Sequence, residues 1–232
     1  PFIPRYMKFL FVIKDTFAIE RIGLMTLSSI LKKAGHETDV VMTEKEDIYK
    51  RMDEYNPDFL CYTITTGEHQ YFLDLNRELK KKYKFLSLFG GIHATFVPET
   101  IEEEGVDCIC RGEGDDAILE YVNAIRDGKP YDNIKNLWVK RPDGSIAKNE
   151  MRDLISDLDR IPFPDREILT KRDPTLRNIK TRVFFMGRGC PYKCTYCFNT
   201  GYNKLSEGKG NIVRMRSVDN VIKEIKEVYE KE

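Results

Sequence analysis

The first 130 residues alternate between short apolar runs and stretches with helical periodicity. "MKFLFVI" (7–13) and "DFLCYTI" (58–64) have the length and composition of buried strands, whereas "GLMTLSSILKKAGH" (23–36) has helical spacing and a glycine that suits a helix end. Five strands, each followed by a helix, predict a parallel sheet covered on both faces. We therefore predict an α/β fold with a flavodoxin-like, doubly wound parallel sheet in the strand order 2-1-3-4-5.

The pattern changes after residue 134. "NLWVKRPDGSIAKNE" (136–150) predicts a hairpin that turns at the Pro-Asp-Gly of residues 142–144. "DLISDLDRIPFPDREIL" (153–169), with its two prolines, has the composition of a connecting segment. "TRVFFMG" (181–187) predicts a strand, and an amphipathic helix is expected near the end of the chain, with Ser217 as its N-cap. The residues expected on its inward face are Val218, Val221, Ile222, Ile225 and Val228.

These patterns divide the chain into a first domain (1–134), a hairpin and linker (135–180) and a last module (181–232). One strand, one loop and one helix cannot enclose a hydrophobic core. We interpret the last module as the first β/α unit of a truncated, partial TIM barrel, a fold that needs about 200–250 residues when complete. The chain is therefore expected to be a piece of a longer protein and to be inactive alone.

Charge and hydropathy exclude some partners. The chain has 38 acidic and 38 basic residues, so its formal net charge of zero provides no broad attraction to nucleic acid. No apolar run approaches the roughly 18–20 residues of a membrane helix, and the start lacks the features of a signal peptide. We expect a cytoplasmic protein without a membrane or nucleic-acid partner, in a compartment where clustered thiols stay reduced.

The stretch "GRGCPYKCTYCF" (187–198) contains three of the six cysteines, and these three span only eight residues. Cys190, Cys194 and Cys197 would supply three thiolates to a 4Fe–4S cluster, which leaves one iron open for another ligand. A structural zinc site is less compatible, because zinc prefers two separated pairs and no second pair is nearby. The other three cysteines are expected to be buried apolar residues in strands, namely Cys61, Cys108 and Cys110.

This stretch resembles the cluster loop of the radical S-adenosylmethionine (SAM) enzymes. The resemblance implies that the open iron chelates SAM and that an electron from the cluster generates a 5′-deoxyadenosyl radical. It implies that Tyr196, just before the third cysteine, lies near the adenine of SAM. An external electron donor of the flavodoxin or ferredoxin type is also implied. No residue of this chain is assigned a catalytic role beyond these contacts.

Three loops after predicted strands carry glycines and hydroxyl groups. Each is weak evidence alone, but "YTITTG", "GGIHATFVPE" and "RGEGDD" occur in the order found in the cobalamin-binding domain of one radical SAM class, which the chain resembles from about Lys8 onward. The resemblance implies cobalamin contacts at Thr63, Thr65, Gly90, Gly91, His93, Gly112, Glu113 and Gly114. For the histidine, a loop residue bonded to backbone is an equal alternative.

The chain departs from cobalamin proteins in which Asp-x-His-x-x-Gly follows the first strand. Its own sequence there is "DTFAIE" (15–20), with Phe17 in place of the histidine that ligates cobalt. We predict base-off cobalamin without a histidine nitrogen on cobalt, and with Phe17, Ile19 or Arg21 on the lower face.

The resemblance implies a cobalamin-dependent radical SAM enzyme, most simply a methyltransferase acting on an unactivated carbon of a small molecule or peptide. Cyclases and rearrangement enzymes of the same class remain open. A radical SAM methylthiotransferase would need a second cluster on three separated cysteines, which Cys108 and Cys110 do not match. A non-catalytic cobalamin-binding module is a further alternative, and the cysteine loop argues against it.

Overall fold

The computed structural model describes residues 6–231. Their main feature is one seven-stranded sheet in the order β2-β1-β3-β4-β5-β6-β7, in which the first five strands are parallel. The predicted order 2-1-3-4-5 is therefore confirmed. The strands are β1 (Lys8–Ile13), β2 (Glu37–Met42), β3 (Phe59–Thr63), β4 (Leu86–Gly90), β5 (Cys108–Cys110), β6 (Leu137–Lys140) and β7 (Ile146–Lys148).

Helices cover both faces of this sheet. They are α1 (Ile22–Lys33), α2 (Ile48–Tyr55), α3 (His69–Lys82), α4 (Ile92–Phe96), a 3₁₀ helix (Pro98–Glu102) and α5 (Asp115–Arg126). The sheet core is double because successive strand residues point to opposite faces. Phe9 and Phe11 belong to one buried cluster, and Leu10 and Val12 belong to the other.

The predicted hairpin is present and extends the same sheet. β6 pairs antiparallel with β5, and β7 pairs antiparallel with β6 across a turn in which Gly144 has a φ of 84°. The predicted helix end at Gly35 is also observed, since its φ of 86° lies in the left-handed region that suits glycine. Local sequence signals therefore set the turns as well as the strands.

The remaining elements are short, apart from the last helix. They are α6 (Glu167–Thr170), α7 (Pro174–Asn178), β8 (Gly187–Arg188), α8 (Phe198–Leu205), β9 (Arg214–Met215) and α9 (Val218–Lys231). Ser217 caps α9 as predicted, because its hydroxyl accepts a hydrogen bond from the Asn220 N–H at 3.2 Å. Sequence analysis missed α4, α6, α7 and α8, which are too short for a clear periodicity.

Two predictions for the last module are wrong. The strand expected at residues 181–187 is limited to Gly187–Arg188, because within residues 6–231 its ladder partner is the two-residue β9. The helix face expected to point inward is mostly exposed: Val218 is 73% exposed, Ile222 44% and Ile225 38%, whereas Val221 is buried as predicted.

The inward side of α9 instead carries a buried carboxylate. Glu224 accepts hydrogen bonds from Arg166 at 2.9 Å and from Arg216 at 2.5 Å. Arg166 also donates to Glu20 at 2.6 Å, on the loop after β1. This ion network fixes α9, the connecting segment and the first domain to one another, and it turns the apolar stripe of α9 outward.

Candidate functional site

A cavity of about 710 Å³ lies where the parallel strands end. In a doubly wound sheet the carboxyl ends of the strands form the usual ligand site. The cavity is bounded by the sheet and α1 on one side and by the connecting segment, with Pro162 and Phe163, on the other. Arg188 and Gly189, next to the cysteine loop, also line it. The first domain and the cysteine module therefore share one cavity.

Six of the eight residues predicted to contact cobalamin line this cavity. They are Thr63, Gly90, Gly91, Gly112, Glu113 and Gly114. The β-ladder places Thr63, Gly90 and Cys110 on neighbouring strands, since Thr63 pairs with Gly90 and the β4–β5 register continues from Phe89–Ile109 toward Cys110. Three separate loops thus converge because their strands are adjacent and parallel.

Gly91 is required by its backbone. Its φ is 93°, and an added Cβ would lie 2.9 Å from the Ile64 carbonyl oxygen. Gly23 and Gly90 differ, because a Cβ at Gly23 would meet no atom within 4 Å and one at Gly90 would meet only atoms at 4.0 Å. These two glycines leave room inside the cavity that side chains would fill, as expected where a bulky group approaches the backbone.

The other two predicted contacts do not line the cavity. Thr65 donates its hydroxyl to the Glu68 carboxylate at 3.2 Å, at the start of α3. His93 is buried, its Nδ1 lies 3.2 Å from the Thr66 hydroxyl oxygen, and its ring stacks on His69 at 4.0 Å between centroids. Burial, and then the neighbouring His69 ring, lower the pKa of His93. His93 therefore packs locally, but it lies in α4 and contacts a side-chain hydroxyl, which differs from the backbone-bonded loop residue considered as the alternative.

Glu113 lines the cavity and also joins the two modules. Its carboxylate accepts hydrogen bonds from Arg214 at 2.9 Å and from the Ile155 N–H at 3.0 Å. Arg188 lies 3.3 Å from it and donates twice to Asp115, each time at 2.8 Å. The Gly-Glu-Gly turn and the first turn of α5 are therefore bonded to the strand that precedes the cysteines.

Sequence analysis missed Arg188, although it lies within the quoted cysteine stretch, between Gly187 and Gly189. The signal that could have indicated it is charge: one arginine stands beside the cysteine motif, and an acidic pair follows the Gly-Glu-Gly turn. Arginine and carboxylate side chains frequently pair in a bidentate geometry. The pairing itself spans 73 residues and depends on the tertiary fold.

The cysteine loop has an anchored backbone and open side chains. The Asn203 amide donates to the Cys190 carbonyl at 3.0 Å, and the Thr200 hydroxyl donates to the Cys194 carbonyl at 2.9 Å. Cys194 is exposed and Cys190 and Cys197 are half-buried. Across residues 6–231, no three His, Cys, Asp or Glu side chains are arranged so as to hold a metal ion together. Tyr196, the predicted SAM contact, is 92% exposed.

The donor set itself suits an iron–sulfur cluster. Three accessible thiols on one short loop are soft ligands, and α8 holds the carbonyls of that loop while the sulfurs are left unbonded to one another. Cys61, Cys108 and Cys110 are buried in the sheet, as predicted, and burial raises the pKa of the Cys110 thiol to about 12. The sheet cysteines are thus kept protonated, unlike metal ligands.

The loop after β1 presents apolar side chains at the same end of the sheet. Phe17 and Ile19 are 57% and 62% exposed, and Phe17 has a φ of 51° in the left-handed region. Arg21 turns back and donates to the Asp15 carbonyl at 2.8 Å. Of the three side chains predicted for the lower face of cobalt, the two apolar ones are therefore the accessible ones.

Comparison with known families agrees with this geometry. Residues 10–122 match the family model of the B12 binding domain. The match covers just under half of the 232 residues. The five parallel strands and the three glycine loops lie within or next to the matched range, whereas Pro162, Phe163 and Arg188 of the cavity lie beyond it.

Two curated relatives match over much of the chain. An uncharacterized methyltransferase of Pyrococcus horikoshii is 29% identical over 238 aligned positions, which cover 95% of this chain and 50% of the relative. An anaerobic magnesium-protoporphyrin IX monomethyl ester cyclase of Rubrivivax gelatinosus is 28% identical over 180 positions, covering 71% and 32%. The chain therefore spans half or less of the length of these relatives.

Solved structures confirm the predicted fold class. The radical SAM methyltransferase TsrM of Kitasatospora setae matches with a TM-score of 0.71 at 17% identity, over 97% of this chain and 46% of TsrM. The cobalamin-dependent SAM radical enzyme OxsB matches with a TM-score of 0.75 at 18% identity, over 97% and 32%. Structures of these neighbours hold cobalamin, SAM or its analogue, and a [4Fe–4S] cluster. The fold of this chain is therefore the fold of the matching part of these two enzymes.

In the described part of the chain, no helix has the length and apolar character required to cross a membrane.

Proposed function

We propose that this chain works within a cobalamin-dependent radical SAM enzyme that methylates an unactivated carbon. The observation that carries the proposal is the shared cavity, which three glycine loops of the B12-binding domain and the residues beside the cysteine loop line together. A methyltransferase relative and a methyltransferase neighbour support the reaction class. The substrate is proposed to be a small molecule or peptide.

The residues have separate tasks in this proposal. Gly23, Gly90 and Gly91 give space to the cobalamin tail, Gly112 and Gly114 continue that wall, and the Thr63 hydroxyl bonds to the tail at the mouth. Cys190, Cys194 and Cys197 hold the cluster, and Tyr196 contacts SAM. When bound, the cluster with SAM would supply a 5′-deoxyadenosyl radical, and cobalamin would supply the methyl group.

Glu113 is proposed to act mainly through other residues. Its carboxylate is already engaged by Arg214, Arg188 and the Ile155 N–H, so it positions the turn that faces the cavity rather than offering a free acceptor. Arg188 in turn fixes the start of the cysteine loop against α5. The two cofactor sites are thereby held at a constant separation.

The lower face of cobalt is proposed to lack a histidine ligand. His36 accepts a hydrogen bond from the Met7 N–H at 3.1 Å, at the start of β1 and so at the opposite end of the sheet. His93 is buried in its stack with His69. The exposed side chains of Phe17 and Ile19 are apolar and donate no electron pair to a metal. Electron paramagnetic resonance of the Co(II) form tests this: nitrogen superhyperfine splitting would contradict it.

The experiment for the main proposal is anaerobic reconstitution of the full-length protein with iron, sulfide and cobalamin, followed by SAM and a strong reductant. We expect about four irons and one cobalamin per chain, with release of 5′-deoxyadenosine and accumulation of S-adenosylhomocysteine. About eight irons would indicate a methylthiotransferase with two clusters. Cobalamin binding without either SAM product would indicate a carrier module.

A ring-forming reaction of the same class is the second candidate, because one relative carries the name of a cyclase. The two candidates differ in the fate of SAM. A methyltransferase produces S-adenosylhomocysteine along with 5′-deoxyadenosine, whereas a cyclase that transfers no methyl group produces 5′-deoxyadenosine alone. The electron donor, of flavodoxin or ferredoxin type in a reducing cytoplasm, belongs to the proposal and can be replaced by dithionite in this assay.

A further inference from the structure

The cavity is lined by two chemically different groups of side chains. One group is charged and includes Glu113, Asp115 and Arg188. The interior lies between the sheet and helices α1 and α5 and is lined by carbon side chains, namely Phe11, Ile22, Leu27, Leu88, Ile118 and Leu137. All but Leu27 are buried members of one hydrophobic cluster, and Leu27 packs against that cluster.

Several polar side chains of the lining are already engaged in hydrogen bonds within the protein. Thr26 donates its hydroxyl to the Ile22 carbonyl at 2.8 Å. Asp115 is held by both nitrogens of the Arg188 fork, and Glu113 is held by Arg214. The Tyr62 hydroxyl has no hydrogen-bond partner, but the Tyr62 side chain belongs to the buried cluster on the opposite face of the sheet. On the face toward α1 and α5, Cys61 and Cys110 offer a ligand their sulfurs, which are weak donors and acceptors.

We propose that this interior selects among cobamides by their lower base, favouring dimethylbenzimidazole over adenine. The inference rests on the proposed function and goes further by naming the form of the cofactor. Dimethylbenzimidazole carries two methyl groups on its six-membered ring. Adenine carries ring nitrogens and an exocyclic amine there, and these groups are hydrated in water.

A lower base enclosed by this lining loses its contacts with water and gains contacts with carbon and sulfur atoms. The methyl groups gain from that exchange because apolar surface is removed from water. The amine and ring nitrogens of adenine lose hydrogen bonds that the lining does not replace, and each such loss is unfavourable. We therefore expect the adenine cobamide to bind at least about tenfold more weakly than cobalamin.

Cys110 is the residue through which this selectivity can be changed. Its thiol lies beside Gly114, where an added Cβ would come within 3.4 Å of the sulfur, and it lines the cavity next to Gly90. A hydroxyl in its place is nearly the same size and a stronger hydrogen-bonding partner. Cys108, two residues earlier in β5, is equally buried but is not part of the lining, so it provides a matched control.

The test is equilibrium dialysis of the full-length protein against cobalamin, the adenine cobamide and cobinamide, which lacks the nucleotide tail, with the corrin absorbance as the readout. We expect cobalamin to bind most tightly, and Cys110→Ser to reduce the preference over adenine about threefold or more. Cys108→Ser should leave the preference unchanged. Each preference is a ratio measured on one preparation, so a smaller folded fraction cancels.

The outcomes separate this inference from the function on which it rests. Equal affinity for cobalamin and the adenine cobamide would overturn the inference and leave the proposed function standing. An equal change of preference in the two serine variants would also overturn it, since Cys110 would then have no special position. Failure of all three corrinoids to bind would instead refute the proposed function.

Discussion

The Gly-Glu-Gly turn and the start of the cysteine loop meet beside one cavity, where Arg188 lies 3.3 Å from Glu113. The two regions differ in how far the protein itself has organised them. In the turn, Glu113 and Asp115 have side chains only 10% and 7% exposed, and both are paired with arginines. In the loop, Tyr192 and Tyr196 are 72% and 92% exposed, and the three thiols are not gathered. The sheet shapes its binding surface by folding, whereas the loop has a fixed backbone and side chains that remain open.

This difference has a physical origin. The turn follows a strand in a sheet with two buried clusters, so packing leaves it one conformation. The loop follows a two-residue strand, and its anchors are hydrogen bonds from Asn203 and Thr200 to carbonyls. A ligand held by such a loop provides part of the energy that orders it, as metals do in small metal-binding modules.

The largest expected effect removes the thiols. The Cys190→Ala, Cys194→Ala, Cys197→Ala triple variant of the full-length protein should lose essentially all reconstituted iron and sulfide, because no other accessible thiol is present in residues 6–231. Its cobalamin affinity should remain within about threefold of wild type, since the sheet forms that surface by itself. Uptake of iron at the wild-type level would contradict the assignment.

The next largest effect is expected from a side chain that fills part of the cavity from helix α1. A Gly23→Leu variant should weaken cobalamin binding by about tenfold or more, because the side chain enters space that is open around the Cβ. Its thermal stability should be unchanged or higher, since glycine is a poor helix residue. Lys33→Leu, on the exposed side of the same helix, is the matched control and should bind cobalamin normally.

Two arginine variants test the contact between the Gly-Glu-Gly turn and the cysteine loop. The two arginines pair with successive residues of α5. Arg188→Gln should lower the free energy of unfolding by about 2 kcal/mol, because Asp115 is left nearly buried without its partner. Arg160→Gln, which releases the more exposed Asp116, should cost less than about 1 kcal/mol. Urea unfolding measures both.

Amide hydrogen exchange measures the local effect of the same two arginine variants. Arg188→Gln should speed exchange in the cysteine loop more than in the sheet strands, since it frees the start of that loop. Arg160→Gln should not. Equal losses of stability in the two variants, with unchanged exchange in the loop, would show that Arg188 does not fix the loop in place.

The smallest effect is a dependence of stability on pH. Burial, and then His69, hold the pKa of His93 below its ordinary value of 6.5, so the unfolded chain binds a proton there that the folded chain does not. Stability from this group is complete above pH 6.5 and is lost as the pH falls toward the lowered pKa. His36 acts in the same direction because of burial.

Replacing one histidine distinguishes the loss of stability near pH 6 from the loss that carboxylate groups cause at lower pH. His93→Gln should flatten the fall of unfolding free energy between pH 7 and 5 and leave His36 to account for the rest. Asp116, whose pKa is lowered by its hydrogen bond from Arg160, acts only below its ordinary value of 3.8. A slope as steep in the variant as in the wild type would exclude His93 as a contributor.

The sequence alone determined the sheet and the positions of its loops. Apolar runs of strand length separated by helical stretches encode a parallel sheet, because each crossover helix must return the chain to the same edge. Strand ends with glycines then place residues such as Gly90, Gly91 and Gly112 at one edge, and the structure brings them into one cavity. These features follow from local periodicity, which a single sequence displays directly.

Only the tertiary structure decided which neighbouring residues face the cavity. In the fold, the His93 ring stacks on His69, and the Thr65 hydroxyl donates to the Glu68 carboxylate. Arg188 pairs with Asp115, 73 residues earlier in the chain. The fold also placed Glu224 on the buried side of α9, where periodicity predicted valine and isoleucine. Such outcomes depend on which elements meet in space, because an ion pair or a ring stack forms between residues whose separation along the chain carries no signal of their contact.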